Sequence, residues 1–202
     1  MTDMPPGEHS FLSVGETASC TLNDAGTASC WGDTSCGVTE APITPMNYVD
    51  VGACMACGIS TEGNIECWGD EDVTTEQFNM PTEGDFVQVA IGKYHGCALD
   101  RNGEITCWGG VGDGFDYGQS NSPEGNFVRI DSGPYHTCAM DINGGVECWG
   151  RNDVGQSDVI EGVYKDISIC PFDTCSFEEG GDLRCWGSGN EELYNLDQDG
   201  DG

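Results

Sequence analysis

Short segments in which apolar and polar residues alternate recur along the whole chain. An apolar residue at every second position is typical of a half-buried β-strand, and no segment has the 3.6-residue apolar period of a helix. The pattern therefore predicts an all-β protein. The five segments are FLSV at 11–14, YVDV at 48–51, FVQVAI at 86–91, FVRI at 127–130 and YKDISI at 164–169.

Each alternating segment is followed by a stretch that ends in Cys-Trp-Gly. The triplet occurs five times, and successive copies begin 37, 40, 41 and 37 residues apart. In each copy a second cysteine stands ten residues before the cysteine of the triplet. Repetition at a period near forty residues is typical of repeat arrays and propellers, so the chain is predicted to contain five related β units.

The ten-residue spacing of the cysteines matches a β-hairpin with a three-residue loop. If Cys97 faces Cys107, the loop is 101–103, and Gly103 takes the third position, where the backbone is left-handed and glycine is preferred. All five units have glycine at this position. Cysteines that face each other at a non-hydrogen-bonded pair have α-carbons about 4.5 Å apart, close enough for a disulfide. The predicted bonds within units are Cys20–Cys30, Cys57–Cys67, Cys97–Cys107, Cys138–Cys148 and Cys175–Cys185.

Three of the thirteen cysteines remain outside these pairs, so at least one thiol stays unpaired. Cys36 follows the first hairpin and Cys54 enters the second unit, which favours a Cys36–Cys54 bond between units. If the first and last units are neighbours, Cys170 is the alternative partner of Cys36. Zinc binding is the alternative to disulfides, but structural zinc sites normally use close Cys-x-x-Cys pairs. Only Cys54 and Cys57 have that spacing, so disulfides are favoured.

Five similar three-stranded units favour radial repetition, a β-propeller, over a sandwich. The tryptophan of each triplet is expected to pack between neighbouring blades. The predicted domains are an N-terminal extension at 1–10, a propeller at 11–190 and an acidic tail at 191–202, with a candidate strand for closing the ring at 193–196. The predicted blades span about 11–47, 48–85, 86–126, 127–163 and 164–190.

The repeated sequence resembles a known family. Unit four, from Gly133 to Gln156, follows G-x-x-H-T-C-A-L-x-x-x-G-x-V-x-C-W-G-x-N-x-x-G-Q closely, a pattern that resembles the repeat of the regulator of chromosome condensation. Unit three matches it with an insertion before Gly118 and Gln119. The other three units keep the hairpin but lack the histidine and the Gly-Gln pair. The resemblance covers 11–190.

The family includes secreted bacterial relatives, among them a β-lactamase-inhibitory propeller. The resemblance therefore implies a propeller that binds proteins, although family propellers usually have seven blades and this chain has five units. The nuclear family member promotes nucleotide exchange on a small GTPase. That activity is disfavoured here because the cysteines predict a different compartment.

Charge narrows the classes of partner. The chain has 36 acidic and 6 basic residues, a formal net charge of −30. Such a surface repels phosphate groups, which disfavours nucleic acids and anionic membranes, and it favours cations and basic proteins. The sequence also contains no run of eighteen apolar residues for membrane insertion. An acidic solvating coat without a specific partner is the alternative interpretation.

Thirteen cysteines predict an oxidising location, either extracellular or at the cell surface. Residues 1–10 lack the basic and apolar regions of a secretory signal. The predicted location therefore implies a signal peptide that is absent from this chain.

No arrangement of residues indicates catalysis. His95 and His136 occupy the same place in units three and four, and the family pattern also has histidine there, so we interpret both as structural. No Ser/His/Asp or Cys/His arrangement recurs at matching spacing. With 36 acidic residues, any single carboxylate pair is uninformative about glycoside hydrolysis. The chain is therefore predicted not to be an enzyme, with no catalytic residues.

Two further features indicate binding. The chain ends in D-x-D-x-D-G, the opening of a calcium loop, with Asp197, Asp199 and Asp201 as candidate ligands. A flexible acidic tail is the alternative. Aromatic residues among acids in the long loops are suited to a basic protein epitope. The candidate contact residues are Phe115, Asp116, Tyr117, Phe78 and Tyr194.

These observations predict a secreted or cell-surface propeller that binds another protein through its loops. The alternative is a structural building block of a bacterial surface protein or appendage, which assembles with copies of itself and is stabilised by calcium. Calcium is the one cofactor that the sequence suggests.

Overall fold

A computed structural model describes residues 5–70, 80–110 and 115–188, which form five three-stranded antiparallel sheets. In each sheet the strands follow one another in chain order, from an inner to a middle to an outer strand. No helix among the described residues has the length and apolar character needed to cross a membrane. The predicted all-β propeller of five disulfide-linked blades is confirmed.

The strand bounds agree with the predicted units, except that β4 begins two residues before the predicted start of unit two. Blade 1 contains β1 (Phe11–Val14), β2 (Ala18–Leu22) and β3 (Ala28–Gly32), and blade 2 contains β4 (Met46–Val51), β5 (Met55–Ser60) and β6 (Ile65–Gly69). Blade 3 contains β7 (Phe86–Ile91), β8 (His95–Asp100) and β9 (Ile105–Gly109). Blade 4 contains β10 (Phe127–Ser132), β11 (His136–Asp141) and β12 (Val146–Gly150), and blade 5 contains β13 (Tyr164–Ile169), β14 (Asp173–Glu178) and β15 (Leu183–Gly187).

The hairpin between the middle and outer strands has the predicted register in every blade. In blade 3, Cys97 pairs with Cys107, and Gly103 has a φ of 87°. The Asp100 carboxylate accepts hydrogen bonds from the Asn102 and Glu104 backbone amides at 2.9 and 2.8 Å, which holds the turn. The equivalent glycines of the other four hairpins also have positive φ. The turn therefore sets the pairing that brings the two cysteines together.

Six disulfides are present, and they include all five predicted within blades. The α-carbons of those five pairs lie 4.0 to 4.1 Å apart. The sixth bond joins Cys36 to Cys54 and so links blade 1 to blade 2. Cys170 is exposed and unpaired. Because Cys54 and Cys57 are both in disulfides, neither offers a thiolate to zinc, and no described group of three side chains is placed to hold a metal ion.

The core consists of four apolar clusters, one at each joint between consecutive blades. At the joint between blades 3 and 4, Cys97 and Leu99 of the middle strand of blade 3 meet Phe127 and Ile130 of the inner strand of blade 4. Trp149 packs against the same cluster from the outer strand of blade 4. The tryptophans of blades 2, 3 and 5 occupy the corresponding places at the other three joints. The predicted packing of tryptophan between blades is therefore confirmed for four of the five triplets, whereas Trp31 of blade 1 belongs to none of the four clusters.

The two end blades each leave one face uncovered. Leu12 of blade 1 is 59% exposed, whereas Val49 at the same place in blade 2 is fully buried. Phe177 of blade 5 is 47% exposed, whereas Leu99 at the same place in blade 3 is 2% exposed. No apolar cluster among the described residues joins blade 5 to blade 1. The candidate closing strand at 193–196 lies outside the described residues.

The residue that follows each inner strand also distinguishes blade 5. It is glycine in blades 1 to 4, where it is Gly133 in blade 4, but it is Cys170 in blade 5. A Cβ atom placed on Gly133 would lie 2.7 Å from Ile169 Cγ2 and 3.0 Å from the Cys170 carbonyl oxygen, both in blade 5. Close packing of the next blade therefore requires glycine immediately after the inner strand. Blade 5 accommodates the Cys170 side chain at this position because no described blade packs against that side of it.

Candidate functional site

Three aromatic residues occupy the same place in consecutive blades, immediately before the middle strand. They are Tyr94, Tyr135 and Phe172. Their carbonyl oxygens accept hydrogen bonds from the backbone amides that follow the outer strands, namely those of Gly110, Arg151 and Ser188, at 2.6, 2.9 and 3.1 Å. In each of these blades a hydrogen bond therefore connects the loop before the middle strand to the loop after the outer strand. The repeat therefore brings the three rings to one end of the propeller.

The loop after the outer strand of blade 3 adds two more rings. Phe115 stacks on Tyr94, with ring centroids 4.5 Å apart, and lies 6.4 Å from Tyr135. Tyr117 meets Tyr135 edge-on, with a centroid distance of 5.8 Å. We call Tyr94, Phe115, Tyr117, Tyr135 and Phe172 the aromatic cluster. Its outer members are accessible, since Phe115 is 44% and Tyr117 40% exposed.

Arg151 lies in the middle of this cluster. Its guanidinium is 5.5, 5.3 and 5.6 Å from the ring centroids of Tyr117, Tyr135 and Phe172. Cations at these distances are attracted to the faces of aromatic rings. The guanidinium also forms an ion pair with Asp153 at 2.5 Å. One cation therefore holds together rings from three blades.

A buried glutamine shapes the loop that presents Phe115 and Tyr117. The Gln119 side chain donates a hydrogen bond to the Phe115 carbonyl at 2.6 Å and accepts one from the Tyr117 amide at 2.7 Å. Gln156 accepts a corresponding bond from the Val154 amide in blade 4. Both glutamines are fully buried. The Gly-Gln pair of the repeat is thus a loop-forming element, and it fixes where the aromatic side chains emerge.

A funnel of about 510 Å³ opens beside the aromatic cluster, where the ends of the inner strands converge. Its wall is largely apolar, with Val14, Val51, Ile91 and Ile169 contributed by four blades. Tyr135 and Phe172 belong to both the funnel and the cluster. Among the residues that the structure describes, two charged ones line it, Glu16 and Lys93. The cluster and the funnel together form one apolar binding surface on a strongly acidic chain.

The two histidines of the repeat connect blades. His95 Nε2 is 2.7 Å from Thr137 Oγ1 in blade 4, and His136 Nε2 is 2.9 Å from Thr174 Oγ1 in blade 5. Burial lowers the pKa of His95 to about 3 and that of His136 to about 4, so both rings are neutral at pH 7. Their position in the joints agrees with the structural role expected from the sequence.

Two carboxylates also connect blades, near the propeller axis. Asp50 accepts hydrogen bonds from the Ser13 hydroxyl and the Ile91 amide, both at 2.7 Å. Asp131 accepts one from the Ile169 amide at 2.8 Å. Removal from water raises the pKa of both groups, that of Asp131 to about 7, where the neighbouring charge of Asp50 adds to the effect.

The predicted contact residues are only partly described. Phe115 and Tyr117 lie in the aromatic cluster, and exposed Asp116 beside them accepts a hydrogen bond from the Gly118 amide at 3.0 Å. Phe78 and Tyr194 lie outside the described residues, as do the three candidate calcium ligands Asp197, Asp199 and Asp201.

Sequence reasoning missed four members of the surface: Tyr94, Tyr135, Arg151 and Phe172. The signal was available in the repeat, because three of them stand at one position of the unit. Arg151 gave no comparable signal, since it follows the triplet in blade 4 alone. The predicted contact residues lie in long loops, whereas Tyr94, Tyr135 and Phe172 lie in short connections between inner and middle strands.

Comparison with known proteins identifies the repeat. Residues 86–119 and 127–156 match the sequence profile of the regulator of chromosome condensation (RCC1) repeat. These two units are RCC1 repeats. The family resemblance expected from the sequence is therefore confirmed, and the matched residues contain both histidines that contact threonine in the next blade and both Gly-Gln pairs. No curated protein sequence matches the chain significantly.

Solved structures share the fold of this chain. The ectodomain of the receptor kinase CR4 from Physcomitrella patens is 22% identical, with a TM-score of 0.72 over 90% of this chain and 50% of that one. The ectodomain of ACR4 from Arabidopsis thaliana is 21% identical, with a TM-score of 0.68 over 92% and 66%. Prp20p from Saccharomyces cerevisiae is 18% identical, with a TM-score of 0.68 over 87% and 56%. The chain thus spans about half to two thirds of the length of these structures.

Proposed function

We propose that this chain is a non-enzymatic protein-binding module whose contact surface is the aromatic cluster and the adjoining funnel. The observation that carries the proposal is a cluster of five aromatic rings, three of which contact the Arg151 guanidinium. Tyrosine, tryptophan and arginine dominate the energetically important positions of protein interfaces. Rings already held by Arg151 lose little conformational freedom when a partner binds, which favours affinity.

The comparisons support a binding role in general terms. Prp20p is described with binding properties toward Gsp1p and histones, and one of its structures is a complex with Kap60. The six disulfides and the similarity to two receptor ectodomains support an extracellular or cell-surface location for this chain. A net charge of −30 accelerates encounter with partners whose overall charge is positive.

The proposal is tested by affinity capture from the native medium with wild type and with the double variant Phe115→Ala/Tyr117→Ala. Both side chains are exposed, so their removal spares the core. We expect the variant to lose a partner that wild type retains. The control is Ile142→Ala, since Ile142 is 78% exposed in the hairpin at the opposite end of blade 4. Equal capture by wild type and the double variant would contradict the proposed surface.

Self-assembly is a second candidate function, favoured by the two uncovered end faces. Leu12 on blade 1 and Phe177 on blade 5 occupy places that are buried at every joint within the chain. Light scattering after size exclusion should then detect species above 21.5 kDa, and Leu12→Asp or Phe177→Asp should remove them. A wild type that stays monomeric at high concentration, with and without calcium, would exclude this function.

Calcium binding by Asp197, Asp199 and Asp201 is proposed as a cofactor interaction of the tail. The support is the alternation of carboxylates with glycine at the sixth position, which is the opening of a calcium loop. Isothermal titration with Ca²⁺ should show heat that is lost when all three residues are changed to asparagine. Equal heats for the two proteins would exclude these ligands.

A further inference from the structure

Lys93 differs from every other cation of the chain. The four ion pairs among the described residues use Arg101, Arg129, Arg151 and Arg184. Lys165 donates a hydrogen bond to the Glu179 carbonyl at 2.6 Å. Lys93 is half-buried in the funnel wall and has neither kind of partner among the described residues, only the Tyr94 ring at 5.8 Å.

The position of Lys93 in the repeat makes it distinctive. The equivalent residues of the other blades are Glu16, Ala53, Pro134 and Pro171, and all of them line the same funnel. Lys93 is therefore the one cation in a ring of five equivalent positions. The other residues of the funnel wall are mostly apolar, and a charge beside apolar groups interacts more strongly with an opposite charge than it does in bulk water.

An ammonium in this setting selects for a particular ligand. A carboxylate that enters the funnel on the side of Lys93 would form a charge-assisted hydrogen bond with Nζ, whereas Glu16 of blade 1 would repel a carboxylate that enters beside it. The apolar wall and the aromatic cluster would cover the aliphatic or aromatic residues on either side of that carboxylate. The chemistry of the funnel is thus complementary to a short apolar segment that carries one acid.

We propose that the funnel binds an apolar loop of a partner protein with an Asp or Glu at its tip, and that this carboxylate pairs with Lys93. The inference rests on the proposed function, because it names the chemistry of the partner at the same surface. It also refines the charge argument. The field of the whole chain attracts partners of positive overall charge, whereas the contact itself requires one local negative charge.

The test uses a display library of linear twelve-residue peptides without cysteine, selected on the wild-type chain. We expect enrichment of peptides with a single Asp or Glu flanked by apolar residues. The most enriched peptide is then compared by calorimetry with its amide version, Asp→Asn or Glu→Gln. On wild type the acidic peptide should bind at least about tenfold more tightly than the amide peptide, about 1.4 kcal/mol.

Two lysine variants complete the test. With Lys93→Met the acidic and amide peptides should bind equally, because the cation that distinguishes them is gone. Lys165→Met, at the opposite end of the blades, should preserve the difference. Selected peptides without an acid, or an undiminished preference for the acid in Lys93→Met, would overturn the inference.

The same peptides separate this inference from the proposed function. If Phe115→Ala/Tyr117→Ala weakens their binding but Lys93→Met does not, the surface is correct and the carboxylate preference is wrong. If no peptide is enriched, or if the double variant binds the enriched peptides as wild type does, the aromatic surface is not the contact site and both proposals fail.

Discussion

The joint between blades 3 and 4 and the outer faces of the end blades are built from the same positions of the repeat. At the joint, Leu99 and Ile130 are buried against each other's blades. At the ends, Phe177 and Leu12 occupy those same two positions and remain exposed. The comparison teaches that a repeat position is buried only where a neighbouring blade covers it, so that equally apolar residues at the same position contribute differently to stability.

The largest expected effect of this difference is on apolar truncation. Ile130→Ala should lower the free energy of unfolding by about 2–5 kcal/mol, because it leaves a cavity in a closed joint. Leu12→Ala should change it by less than about 0.5 kcal/mol, because that side chain is already exposed. Urea denaturation of the oxidised proteins measures both. Similar losses for the two variants would mean that the blade 1 face is covered in solution.

A smaller effect is expected from the polar links in the joints. His136→Ala removes one of the two hydrogen-bond partners of the buried Thr174 hydroxyl, which still donates to the Gln156 carbonyl at 3.1 Å. It also empties the space of a fully buried ring, and should cost about 1–3 kcal/mol. The control is Ile142→Ala, an exposed side chain of the same blade, which should change the free energy of unfolding by less than about 0.5 kcal/mol. A neutral His136→Ala would show that the joint between blades 4 and 5 depends on apolar packing alone.

The buried carboxylates give the joints a pH dependence that the end faces lack. The folded pKa of Asp131, about 7, lies above its ordinary value of 3.8, so the folded state prefers the protonated form. Its contribution to stability is then fully present below about pH 4 and is lost as the pH rises to 7. Relative to Asp131→Asn, wild type should therefore lose stability between pH 4 and 7 and change little above that.

Thermal unfolding of the two proteins across this pH range measures the difference. The comparison with the asparagine variant removes the effect of the many surface carboxylates, which titrate in both proteins. A constant difference in stability from pH 4 to 8 would contradict the raised pKa.

The residue that follows the inner strand should matter only where another blade packs against it. Gly133→Ala should destabilise the chain by about 1–3 kcal/mol, since its Cβ would press against Ile169 of the next blade. Cys170→Ala, at the equivalent place in blade 5, should be neutral within about 0.5 kcal/mol. It should also reduce the titre of free thiol in the unfolded, unreduced chain from one to zero. A destabilising Cys170→Ala would indicate that the blade 5 face is covered.

Much of the fold could be predicted because each blade is held by contacts that are close in sequence. The turn at Gly103 fixes the register, and the register fixes the disulfide between Cys97 and Cys107. The candidate site was predicted less completely. Phe115 and Tyr117 stood out as loop aromatics, but their neighbours Tyr94 and Tyr135 belong to other loops and meet them only when the blades are stacked.

The sequence by itself determined the strands, the hairpin turns, the five disulfides within blades and the place of tryptophan, because these depend on backbone geometry over about ten residues. Tertiary structure alone decided which blade faces are covered, which rings surround Arg151 and which cation stands without a partner. These properties arise from side chains of different blades, and no local pattern records how neighbouring blades meet. The position of Lys93 in the funnel is of this second kind.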